Sequence, residues 1–113
     1  MDAAMEVHTK LGHGFLEALY KDALEIEFDK RAIKYEREKK YEVYYKGNCL
    51  QHYYIADFVG MNEIIIEIKC VKRIKDEHIA QTINYLKASG KHVALLINFS
   101  RGSLEYKRLV YSV

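Results

Sequence analysis

The sequence has no proline, no low-complexity stretch and no internal repeat in its 113 residues. Nothing in it marks a linker, so a single domain spanning residues 1–113 is expected. Cysteine is nearly absent too. Cys49 and Cys70 stand alone, without a CxxC motif or paired histidines, which excludes a zinc finger or a disulfide framework and suits two reduced thiols. No apolar run approaches the roughly 18 residues that cross a bilayer. The opening MDAAMEVHTK has no apolar signal core, and the expectation is a cytoplasmic protein with no membrane contact. Excess charge of one sign is also missing: 18 basic against 16 acidic residues leave a formal +2. A pervasively basic nucleic-acid binder is thereby excluded, and any such footprint must be local. What remains is ordinary for a globular chain, half hydrophobic and 30% charged, and long enough to bury its own core.

Periodicity predicts a helix over residues 2–11, an interruption at Gly12 and Gly14, and a second helix from Phe15 to about Arg31. The second carries Leu16, Leu19, Ala23, Ile26 and Lys30 at helical spacing. YEREKKYEVYY then alternates as a strand, and Lys46-Gly47-Asn48 is a hairpin turn signal. Strands follow at Cys49 to Val59 and Ile64 to Cys70. Asp76 is the expected N-cap of a helix to Ser89, which Gly90 ends. HVALLINF reads as a buried strand and LEYKRLVYSV as a closing one. The order is helices, a three-stranded meander, a crossover helix and two strands. That is an α/β domain with a mixed central sheet flanked by helices.

Three charges interrupt the apolar strands. Asp57 lies in YYIADFVG, and Glu67 and Lys69 lie in EIIIEIKC, although charged groups are rarely buried unless paired or metal-bound. Alternation places Ile65, Glu67 and Lys69 on one face of the third strand. It places Ile55, Asp57 and Val59 on one face of the second. A three-residue loop at Met61 to Glu63 pairs Gly60 with Ile64 and brings Asp57 opposite Glu67, whereas a two-residue loop separates them. Two readings stand side by side on periodicity: a solvated face with a weak Glu67–Lys69 ion pair, or a carboxylate pair that needs a hard divalent cation.

The spacing from Asp57 to Glu67-Ile68-Lys69 resembles the Asp…Glu-x-Lys signature of the PD-(D/E)xK nuclease superfamily. Gln81-Thr-Ile-Asn-Tyr85 resembles the QxxxY motif on the helix after the catalytic hairpin. Gly14-Phe-Leu-Glu17-Ala-Leu-Tyr20 resembles the name-giving motif of the GxxExxY protein family, a small-domain branch of that superfamily. The surrounding EVHTKLGHGFLEALYKDALEIE, Tyr45 to Gly47 and LLINF are similar to its other landmarks. One departure is His13, where that family has proline between the two glycines.

The resemblance implies a restriction-endonuclease-like core and a nuclease cleaving phosphodiesters, DNA ahead of RNA. It implies Mg²⁺ or Mn²⁺ on Asp57, Glu67 and the Ile68 carbonyl. Lys69 would orient or deprotonate the attacking water. Glu17 would stand near the metal, Gln81 would orient water or phosphate, and Tyr85 and Tyr20 would support them. Lys72, Arg73 and Lys75, directly after the third strand, are the candidate phosphate-binding cations. Tyr44, Tyr45, Tyr53 and Tyr54 are candidate base-stacking groups, though core and sheet positions suit most of them better. His8 reads as a helix-surface residue within reach of the site. Cutting two strands requires two sites, which makes a two-fold homodimer the candidate assembly. The competing reading is a catalytically inactive nuclease-like module that binds nucleic acid or protein.

Overall fold

The computed structural model describes residues 1–112. Two helices open the chain, α1 (Asp2–Leu11) and α2 (Glu17–Lys30). Gly12 and Gly14 between them adopt φ of 71° and 105°, a backbone region that glycine enters without steric cost. The strands β1 (Tyr35–Tyr45), β2 (Asn48–Gly60) and β3 (Ile64–Lys69) follow, then α3 (Asp76–Ser89), β4 (Val93–Asn98) and β5 (Glu105–Val110). The five strands form one sheet in sequence order. β3 and β4 are parallel and the other neighbours antiparallel. A parallel neighbour demands a crossover, and α3 supplies it.

The element order agrees with the sequence reading, with ends moved by a residue or two. Asp76 is the first helical residue of α3 and not its cap. The Lys75 N–H donates to His78 Nδ1 at 2.9 Å instead, and Asp76 and Glu77 place negative charge on the helix's positive end. The closing strand stops at Val110, and Val113 of the expected strand lies outside the described residues.

Helices cover both sides of the sheet. On one side Ala3, Ala4 and Val7 of α1 and Tyr20, Leu24 and Phe28 of α2 pack on Phe58, Ile66, Ile68, Ile97 and Phe99. On the other, Tyr85 and Leu86 of α3 pack on Ala56, Val59, Ile65 and Ala94. The α2 face that packs is therefore Tyr20–Leu24–Phe28. Of the stripe expected from the sequence only Ala23 touches this core, while Leu16 is 80% and Ile26 58% exposed. Both stripes have helical spacing, and the aromatic one buries more area.

Between β1 and β2 the two-residue turn Lys46-Gly47 has φ of 51° and 79°, the left-handed pair that suits strand twist. Between β2 and β3 the loop is Met61 to Glu63, and Gly60 pairs with Ile64, Val59 with Ile65 and Phe58 with Ile66. This is the three-residue register. The ladder then stops, one rung before Asp57 and Glu67. On the other edge of β2, Arg37 pairs with Phe58 and Lys39 with Ala56, and the rung between them is skipped. Glu38 occupies that skipped position with φ of 55°.

Candidate functional site

The rung missing from both ladders is acidic: Glu38 on β1, Asp57 on β2 and Glu67 on β3. Strict alternation would put Ala56 on the same side as Phe58. Instead Ala56 packs with Val59 on the α3 side while Phe58 faces α2. The alternation breaks at Asp57, where the strand kinks and its side chain can serve a different purpose.

At the kink the two carboxylates replace main-chain carbonyls. The Asp57 N–H donates to Glu67 Oε2 at 2.8 Å, and the Ile68 N–H donates to Asp57 Oδ2 at 2.7 Å. Glu67 is only 3% exposed. Burial first, and the charge of Asp57 second, push its carboxyl up to about 8, against the hydrogen bond from the Asp57 N–H and the pull of Lys69 and Lys21. A buried acid beside another acid holds its proton because ionisation leaves unscreened negative charge.

Glu17, the first residue of α2, belongs to the same electrostatic neighbourhood. Partial burial and the charge of Asp57 raise its carboxyl, while Lys69 and Lys21 lower it. Lys69, at the end of β3, points its ammonium to Gln81 Oε1 on α3, 3.2 Å away. The two motifs read separately in the sequence therefore touch.

Gln81 and Tyr85 lie four apart on α3 but at different depths. Gln81 is exposed at the rim, whereas Tyr85 is buried with Thr82 and Leu86 and meets Tyr54 edge-on at 4.7 Å. Burial, then the charges of Glu67 and Asp57, raise the Tyr85 phenol, so it stays neutral beneath the acids. Tyr20 is fully buried and stacks on Phe99 at 4.6 Å. Its hydroxyl donates to the Gly12 carbonyl at 2.6 Å and accepts from the Phe15 N–H at 3.3 Å. The motif tyrosine thus fastens the glycine loop to the helix that carries Glu17.

Lys72, Arg73 and Lys75 are exposed on the segment after β3. Asn98, which the sequence reading passed over inside LLINF, holds that segment. Its amide accepts from the Val71 N–H (3.1 Å) and donates to the Val71 carbonyl (2.8 Å) and Glu105 Oε1 (2.9 Å). Glu105 in turn accepts from the Ile74 N–H at 3.0 Å. An asparagine inside the apolar run HVALLINF is the signal that could have found it, because an amide buried there needs partners. Two more residues were missed. Lys21 and Glu38 complete the acidic rung, with Lys21 Nζ 3.1 Å from Asp57 Oδ1 and 3.3 Å from Glu38 Oε1.

His8 is neither in the site nor on the surface. It is buried, and its Nε2 bonds the Arg101 carbonyl at 2.8 Å. Of the four tyrosines considered for stacking, Tyr44, Tyr45 and Tyr53 are exposed on the β1–β2 hairpin, and Tyr54 is packed against Tyr85. Both cysteines are free. Among the described residues no three His, Cys, Asp or Glu side chains converge as a ready metal cluster, and no helix is long and apolar enough to cross a membrane.

Comparison with known proteins bears on this arrangement. Among solved structures, one described as the crystal structure of SSO0001 superposes with a TM-score of 0.65 at 18% identity, covering 85% of this chain and 50% of that one. At that identity the likeness concerns the fold, and the chain spans half the length of that protein. Comparison with curated protein sequences finds no match. The model of the PD-(D/E)XK nuclease superfamily matches residues 1–109, from α1 into β5 and across the whole acidic rung. With nearly its full length matched, and with the α/β sheet of a restriction-endonuclease-like core, the chain belongs to the PD-(D/E)XK nuclease superfamily.

Proposed function

We propose that this chain is a metal-dependent nuclease of the GxxExxY branch, hydrolysing nucleic-acid phosphodiesters in the cytoplasm, with DNA ahead of RNA. The observation that carries this reading is the meeting of Lys69 and Gln81 at 3.2 Å beside the hydrogen-bonded Asp57 and buried Glu67. A solvated strand face would not bury Glu67 at 3% exposure.

The donor set fits a hard divalent cation. Asp57, Glu67 and the Ile68 carbonyl are oxygen donors, and the charge of Asp57 helps to raise the Glu67 carboxyl even with Lys69 and Lys21 nearby. Mg²⁺ or Mn²⁺ held by these residues would supply Lewis-acid polarisation of the phosphate and a more acidic water. Glu17, on the adjoining helix end, adds negative charge to the same region. Lys69 holds its ammonium where charge develops on the phosphate and orients the attacking water. Gln81 fixes that ammonium and offers its amide to water or phosphate. Tyr85 and Tyr20 keep α3 and the glycine loop in place. Lys72, Arg73 and Lys75 grip the phosphate backbone without reading sequence. A two-fold homodimer would present two such sites to a duplex.

The test is incubation of labelled single- and double-stranded DNA and RNA with Mg²⁺, Mn²⁺ or chelator. Cleavage that requires the ion is expected, fastest on DNA. Absence of cleavage on all of these substrates overturns the enzyme reading. The alternative, an inactive module that binds nucleic acid or protein, draws on one observation: both Asp57 oxygens are already engaged, by Lys21 and by the Ile68 N–H.

A further inference from the structure

The acidic rung already holds a cation, and α2 supplies it. Lys21 lies four residues after Glu17, on the same helix face. Its side chain is 12% exposed, and its ammonium bridges two carboxylates of unequal depth. One is Asp57, 16% exposed at 3.1 Å, and the other is Glu38, 59% exposed at 3.3 Å. Glu38 is held at φ 55° on the rung that the β1–β2 ladder skips, a conformation that a non-glycine residue adopts at some cost. A lysine needed only to neutralise Asp57 would require no such outer partner. The arrangement gives one ammonium two stations, an inner one on Asp57 and an outer one toward solvent. The flexible four-carbon stem lets it move between them.

We propose that Lys21 is a positioning residue, the resident counter-ion of the site, which a divalent cation displaces from Asp57 and which Glu38 then retains. The inference rests on the metal reading above. An ammonium and a divalent ion on the same carboxylate repel each other, so they exclude one another at Asp57. The proposal also gives a role to the contact between Lys21 and Asp57 Oδ1, which holds the ammonium on an oxygen that a divalent ion would take. Occupancy then alternates between lysine and metal. The acids are neutralised in either state, and only the metal-bound state can act on phosphate.

Calorimetric titration of the full chain with Mn²⁺ tests this. Lys21→Met should bind Mn²⁺ about tenfold more tightly than wild type, the scale on which a nearby positive charge shifts cation binding at a carboxylate. Lys21→Arg, which keeps the charge, should stay near wild type. Glu38→Gln should weaken binding in wild type and change little in the Lys21→Met background, because Glu38 acts through Lys21. A second readout needs no variant: Mn²⁺ should speed acylation of Lys21, followed by mass spectrometry, as its ammonium leaves Asp57. Equal or weaker Mn²⁺ binding by Lys21→Met overturns the displacement and leaves the metal site standing. Acylation of wild type that Mn²⁺ does not speed overturns it too, whether or not Lys21→Met folds. No Mn²⁺ binding by either protein overturns both.

Discussion

Asp57 and Glu67 each accept a backbone N–H from the other's strand, at 2.7 and 2.8 Å. The β2–β3 ladder ends at Phe58 and Ile66, and the next rung is closed by side chains. Every buried N–H needs a partner, and here carboxylates provide what carbonyls provide elsewhere. The exchange gives the two acids a fixed position at the end of the pairing, where the strands separate. Stability and site are thus built from the same atoms, and several consequences can be measured.

Stability should depend on pH through Glu67. Its carboxyl is raised from about 4.5 to about 8 in the fold, so the folded chain binds a proton that the unfolded chain has released. This contribution is complete below the unfolded value and is lost as pH rises through the folded one. In chelator, the melting temperature should fall between about pH 5 and pH 8, and Glu67→Gln should remove most of that fall. Mn²⁺ should remove it in wild type, because the ion favours the ionised acid. Thermal melts of both proteins across that range, with and without Mn²⁺, check the sign.

Asn98 should matter for both stability and binding. Its amide makes three bonds that seat the segment after β3, and losing them strands main-chain groups of Val71. Asn98→Ala should cost about 1–3 kcal/mol, the usual penalty for buried polar groups left unpaired. A denaturation midpoint measures it. Affinity for nucleic acid should fall as well, although no cation has been removed.

The basic segment should reveal itself in salt dependence. Replacing Lys72, Arg73 and Lys75 with alanine removes three phosphate contacts. The slope of log affinity against log salt should become shallower by about 2 to 3. Binding measured at several salt concentrations on two unrelated sequences should show the same loss on each, because phosphates carry no sequence.

Most of the architecture was legible because period and punctuation agreed. Gly12, Gly14 and Gly90 bound the helices, Lys46-Gly47 closes the hairpin, and the Met61 to Glu63 loop sets the register. What sequence could not show was where alternation stops. Nothing in YYIADFVG marks the kink at Asp57, since the cause lies in neighbours that are distant in sequence: Glu38 across one ladder and Glu67 across the other. α2 misled for a related reason. Leu16, Leu19 and Ile26 and the Tyr20, Leu24 and Phe28 face are equally periodic, and only packing against the sheet chooses between them. Lys21 and Glu38 escaped notice because lysine and glutamate on a helix and a strand look like solvated surface until the lysine bridges Glu38 to Asp57. Gln81 was found through its motif, but its contact with Lys69 is a property of how α3 crosses the sheet.

Lys69→Met offers the most direct test of the central claim, that the acidic rung and its lysine cleave nucleic acid. The substitution keeps the aliphatic stem and removes the charge that Gln81 holds at 3.2 Å. The variant should fold, bind Mn²⁺ and retain nucleic-acid affinity through Lys72, Arg73 and Lys75. Loss of a preorganised charge at the reacting phosphate should slow cleavage about 100- to 1,000-fold. The measurement is the Mg²⁺- or Mn²⁺-dependent cleavage rate set beside nucleic-acid affinity, for wild type and variant together. A large fall in rate at nearly constant affinity is the expected result. Wild type that cleaves nothing in either ion, with Lys69→Met altering affinity alone, would contradict the account and leave a binding module.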